Sequence, residues 1–174
     1  MTQITQMFLV LLISLQFTKT KINMENFIEF KNSLIKDAVN KEACKSQVER
    51  AKECQTWDEL KVVIADNIGW LRAKKVKIID GHYKSSLREF TIVNGLLHGE
   101  YKERYLNGLL WINSHYENGV RHGEWKSWWR NGQPMVHCTY KDEELHGEYK
   151  RWYENGQLCI HEHYENGQKV KTIV

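Results

Sequence analysis

The sequence predicts an α+β chain: an N-terminal helical segment followed by a single-layer antiparallel β-meander of 24-residue hairpin repeats. Three observations carry that expectation. Apolar residues recur at helical spacing through the first half, six Asn-Gly dipeptides punctuate the second, and three segments of that half align without gaps. The aligned segments read GEYKERYLNG from Gly99, GEWKSWWRNG from Gly123 and GEYKRWYENG from Gly147, each 24 residues after the last.

The dipeptides are Asn94-Gly95, Asn107-Gly108, Asn118-Gly119, Asn131-Gly132, Asn155-Gly156 and Asn166-Gly167. A type I′ hairpin turn needs positive φ at both central residues, which Asn and Gly tolerate best. A ladder of such turns at regular spacing specifies a repeat of hairpins. Asp142-Glu143 stands where a seventh dipeptide belongs. Lacking glycine, it is expected to adopt another turn type or a longer loop.

If every Asn-Gly is a two-residue turn, one register runs through the meander. One face then carries Tyr101, Tyr105, Leu110, Ile112, Tyr116, Trp125, Trp129, Val136, Tyr140, Tyr149, Tyr153, Leu158, Ile160 and Tyr164. This tyrosine face is the buried or partner-covered one. The same register sets Gly99 opposite Tyr116, Gly123 opposite Tyr140 and Gly147 opposite Tyr164. A ring over a cross-strand glycine fills the gap that its missing side chain leaves.

The other face sorts into rows that cross the strands. One reads Arg104, Trp111, Trp128, Met135, Trp152, Cys159, and the next reads Lys102, Asn113, Lys126, His137, Lys150, His161. Glu100, His115, Glu124, Thr139, Glu148 and His163 lie beyond. Tryptophan and arginine are enriched at interface hot spots, so Trp111, Trp128 and Trp152, with Arg104, Lys102, Lys126 and Lys150, are the candidate docking residues.

The units HGEYKERYLNG, HGEWKSWWRNG and HGEYKRWYENG, with the YENG that closes the first and third, resemble the MORN repeat. The resemblance is to the shorter variant found in bacterial proteins labelled YwqK-type antitoxin components and in proteins of large DNA viruses. It covers about residues 94–170, with repeats at 99–122, 123–146 and 147–170. The resemblance implies a curved single-layer sheet that mediates protein contacts and sometimes contacts with lipid headgroups.

The rest of the chain divides by composition. Residues 1–23 contain the apolar run Met7–Phe17, too short to span a bilayer as a helix. The run has the length of a signal-peptide core but lacks a preceding basic residue and a small-x-small cleavage site. Three readings stay open for it: an over-extended reading frame with initiation at Met24, a signal or anchor, and an ordinary buried segment. Residues 24–75 are expected to be a helical cap: one amphipathic helix over 25–54, then a second opened by the capping box Thr56-Trp57-Asp58-Glu59. The sheet is expected over 76–174, beginning at Val76–Ile79. Such a cap would protect an open sheet edge.

Chemistry is excluded more readily than assigned. No phosphate loop, nucleophile elbow or isolated carboxylate pair stands out, so the chain reads as a non-enzyme without cofactor. Cys44, Cys54, Cys138 and Cys159 show no CxxC spacing, and free thiols in an intracellular, reducing compartment are the default. The histidines of the second face, with His115 set opposite His122, occupy repeat positions and do not suggest a metal site. Net charge is +3, yet residues 95–174 hold 10 basic and 11 acidic residues. Positive charge and aromatics are thus largely separated, which disfavours nucleic acid. The expectation is a protein-protein interaction module or scaffold with a protein partner. An antitoxin-type or regulatory binder of a cognate protein and a phospholipid-surface scaffold are the alternatives, and oligomeric state is left open.

Overall fold

The computed structural model describes residues 24–75 and 78–174, so the apolar run Met7–Phe17 and the start of the expected strand at Val76 lie outside it. The chain forms two compact units, one ending at Leu60 and one spanning Lys61–Val174.

In the first unit residues 24–40 are helical (α1), and a second helix, α2, runs Lys45–Glu53. The single helix expected over 25–54 is therefore broken. Glu42 takes a left-handed φ of 63°, with Glu42 N–H donating to Val39 O and Ala43 N–H to Ala38 O. That pair of bonds is a Schellman ending. Its signal was hidden because the left-handed residue is glutamate rather than glycine. Phe27, Leu34, Val48, Ala51 and Cys54 are buried, and the Phe27 and Phe30 rings lie 5.2 and 5.4 Å from Trp57. Lys31 donates to the Cys54 carbonyl at 2.9 Å, closing the end of α2.

Helix α3 spans Trp57–Ala73. Its capping box forms as expected, with Glu59 N–H donating to Thr56 Oγ1 at 3.2 Å and Thr56 N–H to Glu59 Oε2 at 3.1 Å. From Lys61 onward the helix belongs to the second unit. There Val63, Ile64, Ala65, Ile68 and Leu71 are buried at helical spacing.

The sheet of the second unit has ten strands: β1 Gly81–Lys84, β2 Arg88–Val93, β3 Leu96–Leu97, β4 Gly99–Arg104, β5 Leu110–Glu117, β6 Val120–Trp128, β7 Pro134–Lys141, β8 Glu144–Trp152, β9 Leu158–Glu165 and β10 Gln168–Thr172. They pair antiparallel in chain order, except that β2 pairs with both β3 and β4. The sheet is an open meander, as expected. Gly99, Gly123 and Gly147 face Tyr116, Tyr140 and Tyr164, as the repeat arithmetic required.

The Asn-Gly dipeptides, however, make two kinds of turn. At Asn94, Asn118 and Asn166 both central residues have positive φ, the type I′ geometry. At Asn107, Asn131 and Asn155 only the glycine does, with φ of 85°, 86° and 84° at Gly108, Gly132 and Gly156. In these turns the glycine N–H donates to the carbonyl of Tyr105, Trp129 or Tyr153, and the Asn Oδ1 accepts the amide of Leu109, Gln133 or Gln157. That is a type I turn followed by a left-handed bulge residue, and it shifts the register by one. Arg104 consequently pairs with Leu110, Trp128 with Pro134 and Trp152 with Leu158. Placing Tyr105, Leu110, Trp129, Tyr153 and Leu158 on the tyrosine face rested on two-residue turns, and the bulge removes that basis. Tyr105 instead lies 5.7 Å, centroid to centroid, from Trp111.

Asp142-Glu143 corrects the sequence reading in the opposite direction. Both residues take positive φ, 53° and 71°, and Lys141 pairs with Glu144 across them. The turn is therefore the same two-residue type as its counterparts one repeat away. A bulge on β6, between the pairs Ser114–Trp125 and Tyr116–Arg121, likewise removes the direct pairing expected between His115 and His122.

Both ends of the sheet are tied at the repeat period. At the type I′ end, Gly119, Glu143 and Gly167 donate N–H to the carbonyls of Leu97, Arg121 and Leu145. The first turn has no preceding repeat, and the Asp80 carboxylate takes both amides instead, Asn94 at 2.9 Å and Gly95 at 2.8 Å. Those two bonds hold its carboxyl below the ordinary range. At the other end Tyr105 Oη donates to Trp128 O, and Trp129 Nε1 to Trp152 O.

Candidate protein-docking faces

Away from the bulged turns the pairing fixes which residues share a face. Tyr101, Ser114, Trp125, Cys138, Tyr149 and Glu162 form one row on the tyrosine face. Glu103, Ile112, Ser127, Val136, Arg151 and Ile160 form the next. Tyr83, Phe90 and Tyr101 stack in succession at 5.3 and 5.9 Å.

Helix α3 meets this face. Arg72 sits over the Tyr116 ring at 5.8 Å, and Arg88 donates to the Asp66 carbonyl at 2.6 Å. Arg88 also pairs with the buried Glu103, which accepts a hydrogen bond from Tyr101 Oη at 3.0 Å. Burial, with Glu103 adding to it, pushes the Tyr101 phenol well above its ordinary range. Sequence reasoning missed this network. Its only signal was a glutamate at the repeat position that holds Ser127 in the next unit.

In the second repeat an arginine covers the rings: the Arg121 guanidinium lies 4.0 Å from the Tyr140 centroid and 5.7 Å from that of Trp125. Burial pushes the neighbouring Cys138 thiol up to about 11, so it is an inert packing group. In the third repeat Tyr149, Ile160 and Tyr164 are half-buried, and Arg151 is exposed.

On the second face strand alternation puts Arg104, Trp111, Trp128 and Trp152 together, with the three tryptophans half-buried. Beside them each candidate lysine closes onto the glutamate two residues earlier on its strand. Lys102–Glu100 is 2.6 Å, Lys126–Glu124 is 2.8 Å, and Lys150 contacts Glu148 in the same way. A cross-strand partner completes each cluster: Asn113 Nδ2 donates to Glu100 at 3.1 Å, His137 lies 3.2 Å from Glu124 and His161 lies 3.6 Å from Glu148. The lysine hydrogen bonds are the main cause holding all three carboxyls below their ordinary values. Arg104 donates to Gly108 O at 3.3 Å within its own turn.

The geometry is that of an open meander with aromatic residues on both faces. Residues 121–142 and 145–168 match the family described as the MORN repeat variant, so this part of the sheet carries MORN-type repeats. Such repeats are generally associated with protein or membrane interaction. No curated protein matches the chain. Among the described residues no helix is long and apolar enough to cross a membrane.

Proposed function

We propose that the chain is a non-enzymatic protein-protein interaction module that docks a protein partner on Trp111, Trp128 and Trp152, with Arg104 at the edge of the stripe. The observation that supports this reading is the pairing of Lys102, Lys126 and Lys150 with Glu100, Glu124 and Glu148. The row beside the tryptophans offers large apolar area with its charges already matched. That suits a protein surface, where aromatic anchors carry the binding energy. A polyanion or an anionic membrane needs unpaired lysines that release counterions or meet headgroups.

The test is affinity capture from the native source with quantitative mass spectrometry, comparing wild type with Trp128→Ala and Trp152→Ala. The partner is lost at least tenfold from both variants, while far-UV dichroism and melting temperature stay near wild type. Normal capture by both variants, or loss that tracks unfolding, contradicts the reading. Sedimentation with anionic liposomes that is also tryptophan-dependent turns it into membrane docking.

A further inference from the structure

The third repeat departs from the other two at one place on the tyrosine face, the face that the proposed docking stripe does not use. Four residues form a square there, because Tyr149 pairs with Glu162 and Arg151 with Ile160 across β8 and β9. In the second repeat the same square is Trp125, Cys138, Ser127 and Val136, two of whose members, Ser127 and Cys138, are 2% exposed. In the first it is Tyr101, Ser114, Glu103 and Ile112, with Glu103 neutralised by Arg88. Only the third square carries two opposite charges on one diagonal and two apolar groups on the other. Arg151 is exposed and makes no ion pair among the described residues, while Glu162 is held by Lys169 at 3.0 Å and by Tyr164 Oη at 2.8 Å.

We infer that this square is a self-complementary contact through which two copies of the chain pair face to face. Rotation by half a turn about the in-plane diagonal through Tyr149 and Ile160 carries Arg151 to within about 3 Å of the Glu162 position and the reverse, since spacings along and across the strands differ by only about 2 Å. A second copy laid on the face about that axis therefore sets its Glu162 over Arg151 and its Arg151 over Glu162. Tyr149 and Ile160 then meet their own counterparts. This is the isologous arrangement of a two-fold dimer, in which one patch serves both sides. Sheets packed face to face lie about 10 Å apart, a gap that an arginine and a glutamate side chain reach across together. Val136 and Tyr164, half-buried on the same face, extend the apolar contact on either side.

The experiment is sedimentation velocity on the full chain across a hundredfold range of concentration, at low and at high salt. The wild type dimerises with concentration, and more weakly at high salt because the two charge pairs are screened. Arg151→Glu raises the dimer dissociation constant at least tenfold with an unchanged melting temperature. Arg151→Glu with Glu162→Arg restores it, since the swap keeps the pairing. A wild type that stays monomeric throughout, or a dimer unchanged in Arg151→Glu, overturns the inference and leaves the two charges as the polar trim of a terminal repeat. A double variant that melts like wild type yet stays monomeric overturns it too. Should the double variant melt early through loss of the Lys169 and Tyr164 bonds, Arg151→Glu alone decides.

Discussion

Glu143 holds Arg121 from both ends. Its carboxylate accepts the Arg121 backbone N–H at 2.6 Å and the Arg121 Nε at 2.7 Å, while its own N–H donates to the Arg121 carbonyl at 3.0 Å. In the flanking turns of the same kind the corresponding pairs are Leu97 with Gly119 and Leu145 with Gly167. The middle unit thus replaces a leucine–glycine pair with an arginine–glutamate pair. The added bonds offset the cost of a left-handed glutamate, about 1–2 kcal/mol.

Truncation separates the two contributions. Glu143→Ala keeps the strained backbone and removes both side-chain bonds, so equilibrium urea unfolding should show a loss of about 1–2 kcal/mol. Glu143→Gly loses the same bonds but relieves the strain, and its stability should stay within about 1 kcal/mol of wild type. Equal losses in the two variants would mean that the backbone carries no strain there.

Gly147 and Gly69 predict a contrast within one protein. Gly147 has φ of 86° and nothing within 4 Å of a built Cβ, so Gly147→Ala isolates the backbone cost, about 1–2 kcal/mol of destabilisation. Gly69 sits inside α3 with nothing within 4 Å of its Cβ position. Gly69→Ala should stabilise by about 0.5–1 kcal/mol. Denaturant midpoints of the two variants should move in opposite directions.

The repeated glutamate clusters predict an acid limb. Hydrogen bonds from Lys102, Lys126 and Lys150 hold the Glu100, Glu124 and Glu148 carboxyls below the ordinary value of 4.5. A carboxyl whose pKa is depressed in the folded state stabilises fully above its unfolded value and loses that contribution as pH falls through the folded one. Melting temperature should therefore be insensitive to these groups above pH 4.5 and fall below it. Their side chains are 52%, 62% and 55% exposed, so the effect is small and weakens with salt. The triple Glu→Gln variant should show a shallower fall on the acid side; an identical acid limb would remove these clusters from the account.

The repeat, the glycine–tyrosine pairs and the faces of the central strand residues were legible because side-chain alternation and a constant 24-residue period over-determine them, whereas the two-residue slips at the β5–β6 and β7–β8 bulges were not. The turns were less legible. Asn-Gly suits both a type I′ turn and a type I turn with a left-handed bulge, and the dipeptide alone does not say which. The helix ending at Glu42 was missed and the Asp142-Glu143 turn was assigned another type for one reason: each is left-handed without glycine. On the candidate face the lysines could be placed in a row from sequence. Their closure onto Glu100, Glu124 and Glu148 depends on rotamers that spacing does not specify. The seating of α3 on the tyrosine face was also hidden, since its periodic apolar stripe does not say which surface it meets, and the Arg72 and Arg88 contacts that mark that surface follow no pattern.

The central claim, that a protein partner docks on the tryptophan face, is tested most directly by hydroxyl-radical footprinting of the chain alone and with its captured partner. Oxidation reports side chains, and so separates two faces that share one backbone. The account predicts protection of Trp111, Trp128 and Trp152 at least threefold stronger than that of Tyr140 and Tyr149. Protection confined to those tyrosines, with the tryptophans oxidised as freely as in the unbound chain, would contradict it.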